Sequence, residues 1–384
     1  MDDRIYDFWV AALQDGYIGN LVELTERAGG ARELFNMKRS IMESKLGISA
    51  KLADLICTDR DIGLIEEEYM NMQSRRITYV NHTDNDFPSR LRNIPSPPYG
   101  LFVKGSLPDP SRKAVAIIGA RECSEYGRLM AEYFGDRLAR EGVDIISGMA
   151  WGIDGISQMA ALAAGGRSYG ILGCGVDIIY PRKNHELYKR LCANAAGPSP
   201  YGSSAAQSGV ISEYAPGSLA QARRFPPRNR IISGLCDVLL VVEARAKSGT
   251  LITVDMAVEQ GKTIMVIPGR ITDELSVGCL NLMKEGAIPA IGIDSVLEEL
   301  YGSAVRIKDS VSGENRIKAK YPKGLGKDEK RIYDFLSLKP QSMEAIATAT
   351  ELEITTIMIS LTNLEMMGVI REVSNGYFVQ NPIY

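Results

Sequence analysis

Histidine is nearly missing from this 384-residue chain: only His82 and His185 occur, and nothing in the sequence brings them together. A Ser-His-Asp hydrolase or a histidine-rich metal enzyme is therefore disfavoured. Paired cysteines are missing as well. Cys57, Cys123, Cys174, Cys192, Cys236 and Cys279 are scattered, with no C-x-x-C pair. That pattern fits neither a zinc site nor a secreted disulfide framework, and scattered thiols suit a reducing cytosol. No apolar run approaches the roughly 20 residues of a membrane span. The strongest, residues 238–242, is bracketed by Asp237 and Glu243. Met1-Asp2-Asp3-Arg4 carries no signal-peptide pattern, so a soluble, cytoplasmic protein with no membrane partner is expected. An excess of positive charge is also missing, since 44 Lys and Arg face 47 Asp and Glu. Any contact with nucleic acid must then come from a local basic patch.

What is present reads as globular. Hydrophobic residues make up 45% and charged residues 24%, enough to bury a core, and the length predicts about two to three domains. Residues 1–75 carry helical periodicity in Phe8-Trp9-Ala12-Leu13 and Leu21-Leu24, broken at Gly29-Gly30 and Gly47. This predicts a helical domain of SAM or helix-hairpin-helix type, serving either backbone-phosphate binding or packing alone.

Residues 76–301 change pattern. Pro95-Ser96-Pro97-Pro98 leads into the strand-like Leu101-Phe102-Val103. Short apolar runs at 114–118, 143–146, 169–172, 238–242 and 263–267 follow, most of them separated by helical segments. Apolar strands alternating with helices predict an α/β fold, a parallel sheet covered on both faces. Gly119, Gly148, Gly173 and Gly269 follow these strands, along the carboxyl edge where ligands bind. Residues 302–327 read as a polar linker. Over 328–384, three short helices precede two strands flanking Asn375-Gly376, a strong hairpin signal, and predict a winged helix.

Two nucleotide motifs fail, so no cofactor is expected. Gly173-Cys174-Gly175 begins like a dinucleotide fingerprint, but Ile178 stands where the third glycine belongs. Gly261-Lys262-Thr263 imitates a P-loop end, yet Met256 occupies the first glycine position and a strand follows. Anion-binding loops remain: Gly119-Ala120-Arg121, the Ser147–Asp154 loop with Gly148, and Lys247-Ser248-Gly249-Thr250 opening a helix. Free amides at a helix N-terminus beside a hydroxyl and a lysine hold phosphate oxygen well. Arg223, Arg224, Arg228 and Arg230 cluster around Asn229, and numerous guanidinium forks favour a chain of phosphates.

These residues, with Leu172-Gly173-Cys174-Gly175-Val176-Asp177, Ile179-Tyr180-Pro181, Phe225-Pro226-Pro227-Arg228-Asn229-Arg230-Ile231-Ile232 and Lys247-Ser248-Gly249-Thr250-Leu251-Ile252-Thr253, resemble the bacterial DNA-processing protein A (DprA, also called Smf) family over residues 80–300. The resemblance implies an extended Rossmann-like domain and a homodimer. It implies a protein that binds and protects single-stranded DNA and loads the RecA recombinase onto it during natural transformation. By position, Arg121 and Lys247 would be the chief phosphate contacts, supported by Arg228, Asn229 and Arg230. Gly119, Gly148, Ser248 and Gly249 would allow close backbone approach, with Thr250 completing the loop.

Departures from the family pattern occur at Trp151 (usually arginine), Gln158 (usually histidine) and Ala120 (usually serine), and in a Gly/Ser/Ala/Pro-rich stretch at 194–209 that reads as an insertion. Trp151 would either stack on a base or pack beneath its loop. From Asp328 onward four basic residues face eight acidic ones, and residues 355–367 contain no lysine or arginine, which reads as a protein-contact or autoregulatory module. A rival reading is a nucleotide-cleaving phosphoribohydrolase of the lysine-decarboxylase-like (LOG) class. It is weakened because Thr253 stands where that class has a catalytic glutamate, and a threonine hydroxyl does not ionise near neutral pH. No catalytic residue and no metal site is therefore expected.

Overall fold

The computed structural model describes residues 3–15, 19–58, 60–193, 208–302 and 324–381. Residues 194–207 of the expected insertion and 303–323 of the expected linker lie outside these. Among the described residues nine strands form one sheet: β1 (Thr78–Asn81), β2 (Gly100–Gly105), β3 (Ala114–Ile118), β4 (Asp144–Ser147), β5 (Ser168–Ile171), β6 (Gly209–Ser212), β7 (Val238–Val241), β8 (Thr263–Val266) and β9 (Ile288–Pro289). Their order is β1-β2-β6-β5-β4-β3-β7-β8-β9.

From β6 to β9 every pairing is parallel, as the apolar runs predict. β1 and β2 join the β6 edge antiparallel, so the sheet is mixed rather than purely parallel. β1, β6 and β9 carried no recognisable sequence signal. β6, only Gly-Val-Ile-Ser, is fully buried because it lies between β2 and β5, not because its own four residues favour a strand.

Both faces of the parallel strands are apolar because both are covered. Along β3, Val115 and Ile117 point into one core with Phe134 and Leu138, while Ala114, Ala116 and Ile118 point into another with Ile232 and Leu235. This period-two alternation of buried side chains between two helix layers explains why the strand reads as a continuous apolar run.

Among its described residues the N-terminal segment is a series of short helices between Arg4 and Ser74, and Gly29, Gly30 and Gly47, which lie between helices, are all at positive φ. It packs on the antiparallel end of the sheet. Phe8 meets Tyr79 and Phe102 edge-on, and the Tyr99 hydroxyl donates to Asp7 Oδ1 at 2.5 Å.

The C-terminal part has the winged-helix order: helices Lys327–Phe335, Met343–Thr350 and Ile354–Met366, then β11 (Ile370–Ser374) and β12 (Tyr377–Gln380). A short β10 (Gln341–Ser342), not foreseen from the sequence, pairs with β12. Among the described residues no single helix is long and apolar enough to cross a membrane.

Candidate nucleic-acid interface

Chain order around the sheet sets the position of the site. From β3 the chain builds outward through β4, β5 and β6, then returns to lay β7 on the other side of β3. β3 and β7 stay paired to their ends, but the chain leaves them toward opposite faces of the sheet, and a crevice opens at this reversal of strand order. A cavity of about 710 Å³ occupies it, lined by Gly119, Ala120 and Arg121 after β3 and by Arg245, Lys247, Ser248, Gly249 and Thr250 after β7.

Two helix N-termini face this region, and they are not equivalent. The helix following β3, Glu125–Arg140, is capped from within. Buried Glu243 accepts the Ser124 N–H at 3.0 Å and also the Ser124 hydroxyl. A carboxylate thus takes up the free donors at this helix N-terminus. The helix following β7, Gly249–Glu259, is open. Ser248 stands at its N-cap in extended conformation and makes no side-chain cap bond. Its Oγ is buried and has no hydrogen-bond partner among the described residues. The first amides of a helix have no intrahelical acceptor, so this terminus presents several donors and a partial positive charge to the cavity.

Arg121 and Lys247 are both exposed and both line the cavity, one after each strand end. Among the described residues neither side chain has a hydrogen-bond or ion-pair partner, so both, with the Gly249 and Thr250 backbone, are open to an anion that enters. Asn229 also lines the cavity, and its Oδ1 accepts the Arg228 Nε–H at 3.2 Å.

The arginine cluster behaves differently from its sequence reading. Arg228 is buried and donates to the carbonyls of Gly148, at 2.8 Å, and Ile171. Burial pushes its guanidinium down to about 10, opposed by the charge of buried Asp154. Asp154 is raised by its own burial, with Arg228 acting against that shift. Arg228 reaches the cavity wall, yet its donors are turned inward and fasten β5 to the loop after β4.

Arg230 does not line the cavity. It grips Glu213 with two bonds, of 2.8 and 2.6 Å, and donates to the Ser96 carbonyl at 2.7 Å. Arg224 is buried against the Tyr214 ring. In this structure Arg230 is engaged by Glu213 and stands apart from the cavity lining, and Arg224, Arg228 and Arg230 do not form a run of free forks. A guanidinium surrounded by unpaired carbonyls and a buried carboxylate bonds them first.

The Gly148 amide is likewise engaged within the protein. The Gly148 N–H donates to Asp154 Oδ2 at 3.1 Å, and its Cα lies so close to Arg228 that an added Cβ would sit 2.9 Å from both terminal nitrogens. Asn184 Nδ2 holds the Met149 and Ala150 carbonyls at 2.8 and 3.0 Å. The loop after β4 is a rigid brace rather than a donor set. Gly152, at φ 86, turns it so tightly against Ala120 and Arg121 that any Cβ would lie within 2.4 Å of their carbonyl oxygens. That contact fixes where Arg121 leaves the sheet.

Sequence reasoning missed the aromatic rim. Tyr180 and Phe225 stack at 5.3 Å with an interplanar angle of 26° and both line the cavity. Tyr180 is 43% exposed. Their separation in sequence hides the pair. Trp151 does not pack beneath its loop; it is 45% exposed.

Residues 78–301 match the family described as DNA recombination-mediator protein A, and residues 318–376 match the DprA winged helix domain. DNA processing protein DprA of Streptococcus pneumoniae is 37% identical over 235 residues, covering 61% of this chain and 78% of that one. Protein Smf of Escherichia coli is 32% identical over 295 residues, covering 77% and 75%. The X-ray structure of DNA processing protein A from S. pneumoniae superimposes with a TM-score of 0.53 at 30% identity, covering 74% of this chain and 98% of that chain.

This chain belongs to the DNA recombination-mediator protein A family.

Proposed function

We propose that this chain, as a member of that family, binds single-stranded DNA by its sugar-phosphate backbone in the crevice between the β3 and β7 strand ends. The observation that carries this reading is the open N-terminus of the Gly249–Glu259 helix, with the unpartnered Ser248 Oγ, between Arg121 and Lys247. Fixed amides, a hydroxyl and two exposed cations suit phosphate oxygens and carry no base-specific pattern. An overall net charge of −3 confines the attraction to this patch. Tyr180 and Phe225 give the rim a sequence-tolerant π-surface, which favours an unpaired strand over a duplex whose bases are stacked away.

On this reading the protein is a binding protein rather than an enzyme, works as a homodimer in the cytoplasm, shields incoming single strands and delivers them to RecA. The family description as a recombination mediator and the relatives named DNA processing protein DprA support that role. The phosphoribohydrolase alternative gains nothing from the geometry. Thr253 lines the cavity at the position where that class has its glutamate, and the carboxylate of Asp154 is occupied by the Gly148 amide.

The test is fluorescence anisotropy of a labelled oligonucleotide, single- and double-stranded, at two salt concentrations. The expected result is tighter binding of the single strand, weakening as salt rises by about 0.7 in log–log slope per phosphate contacted. Equal affinity for both forms, or no binding, overturns the reading. Delivery is tested separately: RecA filaments should assemble faster on strands coated with this protein than on bare strands, and unchanged assembly removes the RecA role.

A further inference from the structure

Beside the phosphate cavity lies a second one, of about 380 Å³, whose lining includes Arg121, Trp151, Gly155, Ile156 and Met159. Arg121 lines both cavities, so this residue stands at their shared wall. Trp151 is carried on a turn held by the positive φ of Met149 and Gly152 and by the two bonds from Asn184. Its ring is presented by a rigid support while 45% exposed. The ammonium of Lys183 sits 4.8 Å from the ring centroid. A large apolar ring kept half in water by a braced turn buries little in this structure and gains its full contact area only when something flat covers it.

We infer that the second cavity is a nucleobase subsite. With a phosphate held at Arg121, the base of an adjoining nucleotide lies in the second cavity with its face on the Trp151 indole. The inference rests on the reading of the first cavity as a phosphate site, and adds to it a distinct contact, to the base rather than the backbone. Arg121 links the two, because one guanidinium reaches phosphate on one side of the wall and borders the base on the other. The neighbouring Lys183 adds positive charge beside the same nucleotide.

The chain has its own reporter. It contains two tryptophans, and the other, Trp9, is buried at 2% exposure against Phe35. Intrinsic emission that responds to a ligand in this region therefore comes from Trp151. The full-length protein is titrated with oligothymidylate and with an abasic strand of equal length, following tryptophan emission and, in parallel, anisotropy of labelled strands. The expected result is saturable quenching by oligothymidylate only, with the abasic strand bound roughly 5- to 100-fold more weakly. Trp151→Ala should cut this preference to what the Tyr180–Phe225 rim supplies and remove the emission change, Trp151→Phe should restore most of the preference, and neither should shift thermal unfolding strongly, since the side chain is half in water. Equal binding of both strands by the unaltered protein, or oligothymidylate binding by Trp151→Ala at full affinity, overturns the base subsite while leaving the phosphate reading intact. Failure of both strands to bind overturns the phosphate reading and this one with it.

Discussion

The helix that opens at Ser248 and the winged-helix segment Ile354–Met366 make an instructive pair, since each is the element of its region that a nucleic acid would meet. The first starts from Lys247, an unpartnered hydroxyl and free amides, and faces Arg121 across a crevice. The second is preceded by Glu351 and Glu353, contains no lysine or arginine, and exposes Ile354, Met358 and Ile359. One presents positive potential in a recess; the other presents apolar side chains on an acidic module. Counterion release from phosphate supplies most non-specific affinity for nucleic acid, so the first surface has the required charge and the second lacks it. A winged-helix fold therefore does not by itself make a DNA reader. Charge on the exposed face decides.

The largest effect that would break this contrast concerns the two exposed cations. Arg121→Ala combined with Lys247→Ala should weaken single-strand binding by about 100-fold or more, because each charge-assisted bond contributes roughly 1.5–3 kcal/mol. Its salt slope should flatten by about 1.4. Retained affinity in a titration of this double variant would move the site elsewhere.

A second difference lies within the basic residues of the central domain. Arg228→Ala removes a buried guanidinium that serves two carbonyls and faces Asp154. It should cost about 3–5 kcal/mol of stability, seen in thermal denaturation, whereas Lys247→Ala should leave the transition unmoved. Gly148→Ala should imitate the Arg228 loss, since the new methyl meets both Arg228 and Asp154. If Arg228→Ala instead melts normally but fails to bind DNA, its role is contact rather than scaffold.

A smaller effect is expected on the winged helix. Ile359→Glu should change single-strand affinity less than about two-fold, because surface changes away from a charged site alter little. The contrast could also be reversed on purpose. Glu353→Lys with Met358→Lys should confer weak, salt-sensitive duplex binding, visible at low ionic strength, if charge is what the module lacks.

Much of the fold could be read locally. Fully apolar runs bounded by turn residues identify β3, β7 and β8, and Asn375-Gly376 identifies the wing, because both signals reside in a few adjacent residues. β6 and β1 stayed hidden because their strand character comes from neighbours in the sheet. In the site, Arg121 and Lys247 were legible because each follows a strand end, and strand ends share an edge. The aromatic pair Tyr180 and Phe225 was not, since its geometry arises only when distant loops converge.

Residue types and their order were enough to establish a covered parallel sheet, an anion-friendly edge and an acidic winged helix. Which cations remain available was decided by tertiary structure alone. Arg228 meets the Gly148 carbonyl across 80 residues of sequence, Arg230 meets Glu213, and Glu243 reaches Ser124 across 119 residues to close the other helix N-terminus. The physical reason is that a buried charge or carbonyl must find a partner wherever the fold supplies one. A guanidinium binds a ligand only where the folded chain leaves it no internal acceptor.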